Sequence, residues 1–361
     1  MKKKKIGILT SGGDCPGLNA TIRGAVKACF ELFGEENIEI IGILDGYYGL
    51  INGITKELKA AELSGLLTRG GTILGSKRQS FKMLSEIGED NVDKFKQMKE
   101  TYKKLGLDCL LTLGGNGTHK SSNMLTKEGL NVIGLPKTID NDIFGTDVTF
   151  GFQTAVDIAT EVLDRLHTTA TSHGRILLCE IMGNKAGWLT LTAGIAGGAD
   201  IILIPEIPYD IKKVIEAVKE RNAAGKKFSI IAVAEGAYDT SEANLKRKDR
   251  QAKRLETGEV TATNRIANEI IKATGYDTRV CVPGHMLRGG SPNSYDRVLA
   301  TNFGVMAAEL IKEENYGRMV ALRGKKITSI EFEKTAGITK FVKPKSQLVA
   351  TAKDIGISFG D

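Results

Sequence analysis

The chain has 361 residues, of which 41% are hydrophobic and 26% are charged, a composition typical of a globular protein. At this length we expect two lobes with a cleft between them, because a single compact core seldom grows so large. The formal net charge is +7, but the cations are interleaved with acids and aromatic residues are few, so we expect no nucleic-acid partner.

Apolar runs and cysteines exclude further classes. No apolar run reaches the length of a membrane span and no signal-peptide core follows the N terminus, so we expect a cytoplasmic protein without a membrane partner. The five cysteines are odd in number, widely spaced and lack a CxxC pair, which argues against a disulfide framework and a zinc site.

Apolar runs bounded by glycine or aspartate alternate with stretches of helical periodicity, which predicts an α/β fold with a parallel sheet covered by helices on both faces. We predict strands near residues 5–10, 38–44, 109–113, 132–135, 175–181, 201–204, 229–234 and 279–282. We predict helices near residues 18–33, 92–105, 118–128, 152–170, 211–223, 261–274 and 293–313. In such sheets ligands bind outside the carboxyl ends of the strands.

The first predicted strand runs into the glycine-rich segment TSGGDCPGLN at residues 10–19, where a helix begins. Glycines let backbone N–H groups approach an anion, and the helix N terminus adds a favourable partial charge. The segment is neither a Walker loop nor GxGxxG. It predicts a phosphate-binding loop, with a plain strand-to-helix turn as the alternative.

Two further segments predict phosphate contacts. GGNGT at residues 114–118 again lies at a strand end and opens a helix; Asn116 can offer a carbonyl oxygen to a metal, and Gly117 leaves room for a bulky group. RGGTILGSKR at residues 69–78 ends in adjacent cations. Arg78 can bridge a transferring phosphoryl group because a guanidinium fork suits phosphate oxygens. A solvated surface cation is the alternative.

The segment LPKTIDND at residues 135–142 places two carboxylates, a hydroxyl and an ammonium in one turn after a strand. This grouping suits phosphoryl transfer to an alcohol. Asp140 can accept the proton of the attacking hydroxyl, Asp142 can hold Mg²⁺, and Thr138 and Lys137 can orient oxygens. An Asx-rich turn that caps a helix is the alternative.

Later segments supply the groups that a sugar phosphate needs, namely arginines for the phosphate and a carboxylate and main-chain groups for the hydroxyls. These residues are Arg175, Met182-Gly183-Asn184, Glu235, Arg279, His285 and Arg288. A lone histidine such as His285 is more often structural, but its spacing of one helical turn from Arg288 favours a shared phosphate contact.

From Gly7 to about Arg297 the chain resembles the 6-phosphofructokinase family in the order and spacing of its motifs, which are GGDCPGLN, GGTILGSKR, GGNGT, PKTIDNDI, EIMG, AEG and GHMLRGGSP. The resemblance implies transfer of the ATP γ-phosphoryl group to the C1 hydroxyl of fructose 6-phosphate in glycolysis, with Mg²⁺ as the metal. It also implies two Rossmann-like three-layer α/β/α lobes with mostly parallel sheets and the active site in the cleft between them.

The lobes that the resemblance implies have approximate boundaries. A larger, donor-binding lobe would comprise residues 1–140 plus about 262–315. A smaller lobe for fructose 6-phosphate would comprise about 141–261 plus a C-terminal segment of about 316–361.

Roles carry over position by position. Asp140 matches the family's proton acceptor and Thr138 a neighbouring substrate contact. Donor-binding positions are matched by Gly13, Lys77, Arg78, Gly115, Asn116, Gly117 and Thr118, and metal positions by Asn116 and Asp142. Fructose 6-phosphate contacts are matched by Met182, Gly183, Asn184, Glu235, His285 and Arg288. Arg175 and Arg279 match arginines that reach the substrate of a neighbouring subunit, which implies a homotetramer or homodimer.

Donor choice depends on Gly117 and Lys137. Pyrophosphate-using relatives carry an aspartate at the position of Gly117, where its carboxylate occupies the space of the nucleotide's α-phosphate, so Gly117 favours ATP. Lys137 stands where common bacterial ATP enzymes have glycine and pyrophosphate enzymes have lysine, and the combination resembles the mixed-substrate group. A pyrophosphate-dependent enzyme is therefore the alternative. A catalytically silent sensor is a second alternative, because Asn116 replaces an acid of the family and Asn184 replaces an arginine.

Overall fold

The computed structural model describes residues 3–87, 93–256 and 261–361, which form two α/β units. Unit 1 comprises Met1–Thr154 and Arg288–Lys340, and unit 2 comprises Ala155–Leu287 and Phe341–Asp361. Among the described residues, no helix combines the length and the apolar character needed to cross a bilayer.

The strands in the described residues are β1 (Lys4–Thr10), β2 (Ile38–Ile43), β3 (Thr55–Glu57), β4 (Cys109–Gly114), β5 (Val132–Pro136), β6 (Ile176–Ile181), β7 (Ile201–Leu203), β8 (Ser229–Ala234), β9 (Thr278–Cys281), β10 (Arg318–Arg323) and β11 (Lys326–Glu331). The helices are α1 (Leu18–Phe33), α2 (Tyr47–Asn52), α3 (Phe81–Ser85), α4 (Lys94–Leu105), α5 (Asn116–Lys127), α6 (Phe152–His173), α7 (Trp188–Ala196), α8 (Ile211–Ala223), α9 (Arg247–Glu256), α10 (Ala262–Thr274), α11 (Ser294–Lys312) and α12 (Gln347–Asp354).

Unit 1 is built on a seven-stranded sheet in the order β11-β10-β5-β4-β1-β2-β3. The inner pairs are parallel, and the sheet turns antiparallel at both edges, where β3 pairs with β2 and β11 pairs with β10. The inner strands β4 and β5 are buried along their whole length. Strands that are buried on both faces have continuous apolar sequences, which is why these strands could be predicted from the sequence.

Unit 2 is built on a four-stranded parallel sheet in the order β7-β8-β6-β9. β6 and β8 are buried throughout, and the core between this sheet and its helices contains Ile231, Val233 and Ile266. The end of the chain returns to this unit, since Ser358 accepts a hydrogen bond from the backbone N–H of Ile202 (2.9 Å).

The predicted α/β class, with two units on mostly parallel sheets, is confirmed. The eight predicted strands agree with the structure to within one residue at each end. Polar N-caps fix several helix starts; for example, Asp93 accepts from the N–H of Lys96 at the start of α4 (3.0 Å). The predicted start of that helix at residue 92 lies outside the described residues. The sequence did not predict α2, α3, α7, α9, α12, β3, β10 or β11, most of which are short.

The division into units differs from the predicted lobe boundaries. Residues 262–287 belong to unit 2, because β9 pairs with β6. Residues 316–340 belong to unit 1, because β10 pairs with β5. Residues 141–154 also belong to unit 1, so the whole segment 135–142 lies in one unit.

Candidate active site

The first glycine-rich loop joins β1 to α1 in unit 1. The backbone N–H of Ser11 donates to the carbonyl oxygen of Leu113 (2.9 Å) and extends the β1–β4 pairing. Gly12 has a φ of 85°, which glycine adopts without strain. Its carbonyl oxygen accepts a hydrogen bond from Oγ of Ser76 (2.5 Å). The loop is therefore joined to the segment that carries Lys77 and Arg78.

The amide of Asn19, in the first turn of α1, holds the segment 69–78 against the first loop. Its Nδ2 donates to the carbonyl oxygens of Arg69 and Gly70, each at 3.1 Å. Its Oδ1 accepts from the backbone N–H of Ile73 (2.9 Å). Asn19 is fully buried, so its part in the motif is to build the loop.

Lys77 and Arg78 are both exposed at the end of this segment. Nζ of Lys77 lies 3.5 Å from Oδ2 of Asp45 and 3.6 Å from the centre of the Tyr48 ring. Neither Asp45 nor Tyr48 was predicted as a site residue. The signal was present, since Asp45-Gly46 follows β2 just as the glycine loops follow β1 and β4.

The second glycine-rich loop joins β4 to α5, with Gly115 as the N-cap. A Cβ atom at Gly114 would lie 2.1 Å from Oγ1 of the buried Thr118, so glycine is required there. Apart from its chain neighbours and the backbone of its own helix, a Cβ atom at Gly117 would meet no atom of the described residues within 4 Å. The space beside Gly117 is therefore open in the described part of the chain.

The turn that follows β5 is tied internally. The backbone N–H of Asp140 donates to Oγ1 of Thr138 (3.1 Å), and Oγ1 of Thr149 donates to the carbonyl oxygen of Thr138 (2.7 Å). Asn141 has a φ of 50°, in the left-handed region. The next helix, α6, begins only at Phe152. The turn therefore does not cap a helix, and Asp140 and Asp142 are both half-buried.

The second loop and this turn meet at Asn116 and Asp142. Nδ2 of Asn116 donates to the main-chain carbonyl oxygen of Asp142 (3.1 Å). Oδ1 of Asn116 is buried and has no hydrogen-bond partner among the described residues. Those residues contain no group of three or more His, Cys, Asp and Glu side chains that could hold a metal. Mg²⁺ commonly binds through one or two protein oxygens and substrate phosphates, so an unpaired amide oxygen beside Asp142 fits it.

Lys137 and Arg288 converge on the first loop. Lys137 is 4% exposed, and its Nζ donates to the carbonyl oxygen of Gly13. Burial lowers the pKa of the Lys137 ammonium. Nη1 of Arg288 lies 3.4 Å from the carbonyl oxygen of Asp14, and a Cβ atom at Gly13 would lie 2.1 Å from that nitrogen. The side chains of Lys137 and Arg288 thus bring positive charge to the loop at Gly13.

In unit 2 the predicted hexose contacts cluster at the carboxyl ends of β6 and β8. Backbone N–H groups of Glu235 and Gly236 donate to the carbonyl oxygens of Ile181 (2.8 Å) and Gly183 (3.2 Å). Nδ2 of Asn184 donates to Oε1 of Glu235 (2.9 Å). Met182, Gly183, Asn184 and Glu235 are therefore neighbours. His285 is exposed on the 3-10 helix Gly284–Arg288.

Arg175 and Arg279 lie elsewhere in unit 2, near the amino ends of β6 and β9. Both pair with Asp277, and Nε of Arg175 donates to its Oδ2 (2.6 Å). That hydrogen bond lowers the pKa of the Asp277 carboxyl. β6 has six residues, so at about 3.3 Å per residue the two arginines lie on the order of 20 Å from Asn184. Within this chain the two arginines therefore lie far from Asn184 and Glu235.

These observations define a class of protein. Its parallel strands end in glycine-rich loops that lead into helix N termini, an arrangement by which α/β enzymes bind phosphorylated ligands. A family model described as phosphofructokinase matches residues 5–311. The chain belongs to the phosphofructokinase family, as the sequence motifs predicted.

Individual relatives agree with this assignment. The chain is 52% identical to an ATP-dependent 6-phosphofructokinase of Spirochaeta thermophila, covering 99% of this chain and 98% of the relative. It is 48% identical to ATP-dependent 6-phosphofructokinase 2 of Clostridium perfringens, covering 99% of each chain. The crystal structure of Pichia pastoris phosphofructokinase in the T-state is similar with a TM-score of 0.78 at 29% identity. That alignment covers 99% of this chain and 37% of the yeast chain.

Proposed function

We propose that this protein is an ATP-dependent 6-phosphofructokinase, which transfers the γ-phosphoryl group of ATP to the C1 hydroxyl of fructose 6-phosphate and gives fructose 1,6-bisphosphate and ADP. The observation that carries the proposal is the meeting of the carboxylate-bearing turn with both glycine-rich loops, through Lys137 to Gly13 and through Asn116 to Asp142. A cytoplasmic location follows from a role in glycolysis.

In this proposal Asp140 accepts the proton of the C1 hydroxyl as that oxygen attacks phosphorus. Thr138, fixed by Thr149 and hydrogen-bonded to the N–H of Asp140, holds the turn and contacts the substrate. Arg78 is exposed and can move onto the transferring group, whose charge its guanidinium stabilises. The donor phosphates lie along backbone N–H groups of the two loops, at Gly13 and Gly115–Thr118, with Lys77 nearby.

Asn116 and Asp142 are the residues that would hold Mg²⁺. The ion, when bound, neutralises charge on the donor phosphates. The protein's own contribution is the hydrogen bond from Nδ2 of Asn116 to the main-chain carbonyl oxygen of Asp142, which joins the second loop to the turn that bears Asp142. Asn116 supplies a neutral oxygen, so Asp142 supplies the only carboxylate of this pair.

The hexose is assigned to Met182, Gly183, Asn184, Glu235, His285 and Arg288. Glu235 accepts hydrogen bonds from sugar hydroxyls, a role that its exposed position and its bond to Asn184 support. The distance of Arg175 and Arg279 from Asn184 in one protomer supports their assignment to the substrate of a neighbouring subunit. The proposal therefore includes a homodimer or homotetramer.

The open space beside Gly117 supports ATP as the donor, because a nucleotide's α-phosphate needs room there. A second candidate is a pyrophosphate-dependent fructose 6-phosphate 1-phosphotransferase. The buried Lys137 ammonium favours it, since a cation at the first loop suits a compact, highly charged donor.

Turnover with each donor supplied separately tests the proposal. Purified protein is given fructose 6-phosphate, Mg²⁺ and either ATP or pyrophosphate, and fructose 1,6-bisphosphate is measured. We expect product with ATP. Product with pyrophosphate alone would establish the second candidate. Binding of fructose 6-phosphate without turnover of either donor would indicate a silent sensor and overturn both.

A further inference from the structure

One lysine from the C-terminal part of the chain makes most of its contacts within the turn that bears the carboxylates. Nζ of Lys340 donates to Oδ1 of Asn141 (2.9 Å), the carbonyl oxygen of Thr146 (2.9 Å) and the carbonyl oxygen of Asp147 (2.8 Å). Its backbone N–H donates to the carbonyl oxygen of Asp142 (2.8 Å). An ammonium group has three N–H donors, and these three acceptors match them. All four acceptors lie within residues 141–147.

The contact with Asn141 matters most, because Asn141 separates Asp140 from Asp142. Its φ of 50° lies in the left-handed region, which is uncommon for residues with a side chain although asparagine adopts it more often than most, so contacts from its surroundings help to hold it there. Oδ1 of Asn141 also accepts from the backbone N–H of Thr149 (3.1 Å). One amide oxygen thus links the left-handed residue to both the far end of the turn and the Lys340 ammonium. The direction of the neighbouring carboxylates depends on this backbone conformation.

The position of Lys340 in the chain suits such a role. The preceding residue, Thr339, forms an antiparallel bridge with Ile143, so the segment runs alongside the turn. Lys340 is the last residue of unit 1 before the chain enters unit 2 at Phe341. The contacts of Lys340 with residues 141–147 are all within unit 1.

We propose that Lys340 is a positioning residue for phosphoryl transfer: its ammonium fixes Asn141 in the left-handed conformation and so directs Asp140 toward the attacking hydroxyl. The inference rests on the proposed function for its catalytic part. Lys340 itself touches neither substrate nor donor in this proposal. Its loss should therefore lower kcat, which depends on the aim of Asp140, more than it changes either KM.

The variant that tests this is Lys340→Met, which keeps the unbranched apolar stem of the side chain and removes the three donors. Lys343→Met is the matched control, because Lys343 is an exposed lysine three residues further along the same segment. Lys340→Gln is a milder second variant that retains an N–H donor and remains useful should the methionine variant not fold. For each protein we would measure kcat, both KM values and amide hydrogen exchange over residues 138–149.

We expect kcat of Lys340→Met to fall by about tenfold or more, with both KM values changed less than about threefold. Amide exchange should rise by about tenfold within residues 138–149 and stay unchanged in β1, β4 and α1. Lys340→Gln should lie between Lys340→Met and the native protein, and Lys343→Met should match the native protein in every measurement.

Three outcomes would overturn the inference. Unchanged exchange over residues 138–149 would show that Lys340 does not hold the turn. Exchange that rises throughout unit 1 would show a general structural role. A rise in amide exchange confined to residues 138–149, with kcat within twofold of the native value, would show that the hold of Lys340 on the turn does not affect catalysis. If the native protein turns over neither donor, the proposed function fails, while the exchange measurement still decides whether Lys340 holds the turn.

Discussion

Lys137 donates a hydrogen bond from its buried Nζ to the main-chain carbonyl oxygen of Gly13. This bond joins the turn after β5 to the loop after β1, two segments that are more than a hundred residues apart in the chain. The side chain is almost completely buried, and burial lowers the pKa of its ammonium. In the proposed function, this bond sets the distance between the turn that bears Asp140 and the loop that binds the donor.

We predict that Lys137→Met lowers kcat by about tenfold or more with whichever donor the native protein uses, because a shift of about 1 Å between loop and turn is costly to the reaction. Steady-state kinetics with saturating fructose 6-phosphate measure this. Lys120→Met, at an exposed lysine on α5, is the control and should behave as the native protein does. Native kcat in Lys137→Met would show that the bond is irrelevant to catalysis.

Gly117 provides a direct test of donor space. We predict that Gly117→Asp raises KM for ATP or abolishes its use, because the carboxylate would fill open space and repel the nucleotide's phosphates. Folding should be unaffected, since a Cβ atom there meets no described atom within 4 Å. Kinetics with ATP, together with thermal unfolding, separate the two effects.

Gly114, three residues before Gly117, provides a control for that prediction. Gly114→Ala should destabilise the protein, because the new Cβ would lie 2.1 Å from Oγ1 of the buried Thr118. Gly117→Ala should unfold at the same temperature as the native protein. Unchanged ATP kinetics in Gly117→Asp would refute the argument from space.

The sequence predicted the strands well because buried parallel strands are continuous apolar runs, and it placed the glycine-rich loops because they follow those strands. It could not reveal that Lys340 contacts Asn141, since a contact across 199 residues leaves no local pattern. Nor did it show that Arg175 and Arg279 both pair with Asp277, because the sequence does not reveal that β6 and β9 are neighbours in the sheet. The domain boundaries differ for the same reason: strand pairing, read only in the structure, assigns β9 and β10 to their units.

His119 gives a prediction for stability at low pH. It is 1% exposed on α5, with its ring 5.8 Å from that of Phe332, and burial lowers its pKa from 6.5 to about 3. Between these values the unfolded chain binds a proton that the folded chain does not. The free energy of unfolding should therefore fall as pH drops below about 6.5, by about 1 kcal/mol per pH unit from this residue.

Denaturant unfolding between pH 4.5 and 7.5 measures that slope. His119→Leu should lose less stability than the native protein as the pH is lowered, whatever its stability at pH 7.5. His173→Leu, at an exposed histidine at the end of α6, is the control and should keep the native slope. Equal slopes for His119→Leu and the native protein would contradict the prediction.

The two arginines of unit 2 lead to a prediction about subunits. Arg175 and Arg279 pair with Asp277 at the end of the sheet remote from Asn184 and Glu235, and we propose that they serve a neighbour's substrate. The kcat of Asp140→Asn should then fall by on the order of 10²-fold, because this variant lacks the proton acceptor. Arg279→Ser should be impaired through a raised KM for fructose 6-phosphate.

Hybrids of these two variants should recover activity. In a mixed dimer one site combines the native Asp140 of one chain with the native Arg279 of the other, while the second site carries both defects. The assay uses a fructose 6-phosphate concentration well below the raised KM of Arg279→Ser, so that both parents are slow. Equal mixing by denaturation and renaturation should then restore about a quarter of the native rate, since about half the dimers are hybrids with one intact site each. Mixing each variant with itself is the control. If the mixture shows only the average of its two parents, each chain completes its own site and the proposed exchange of arginines between subunits is wrong.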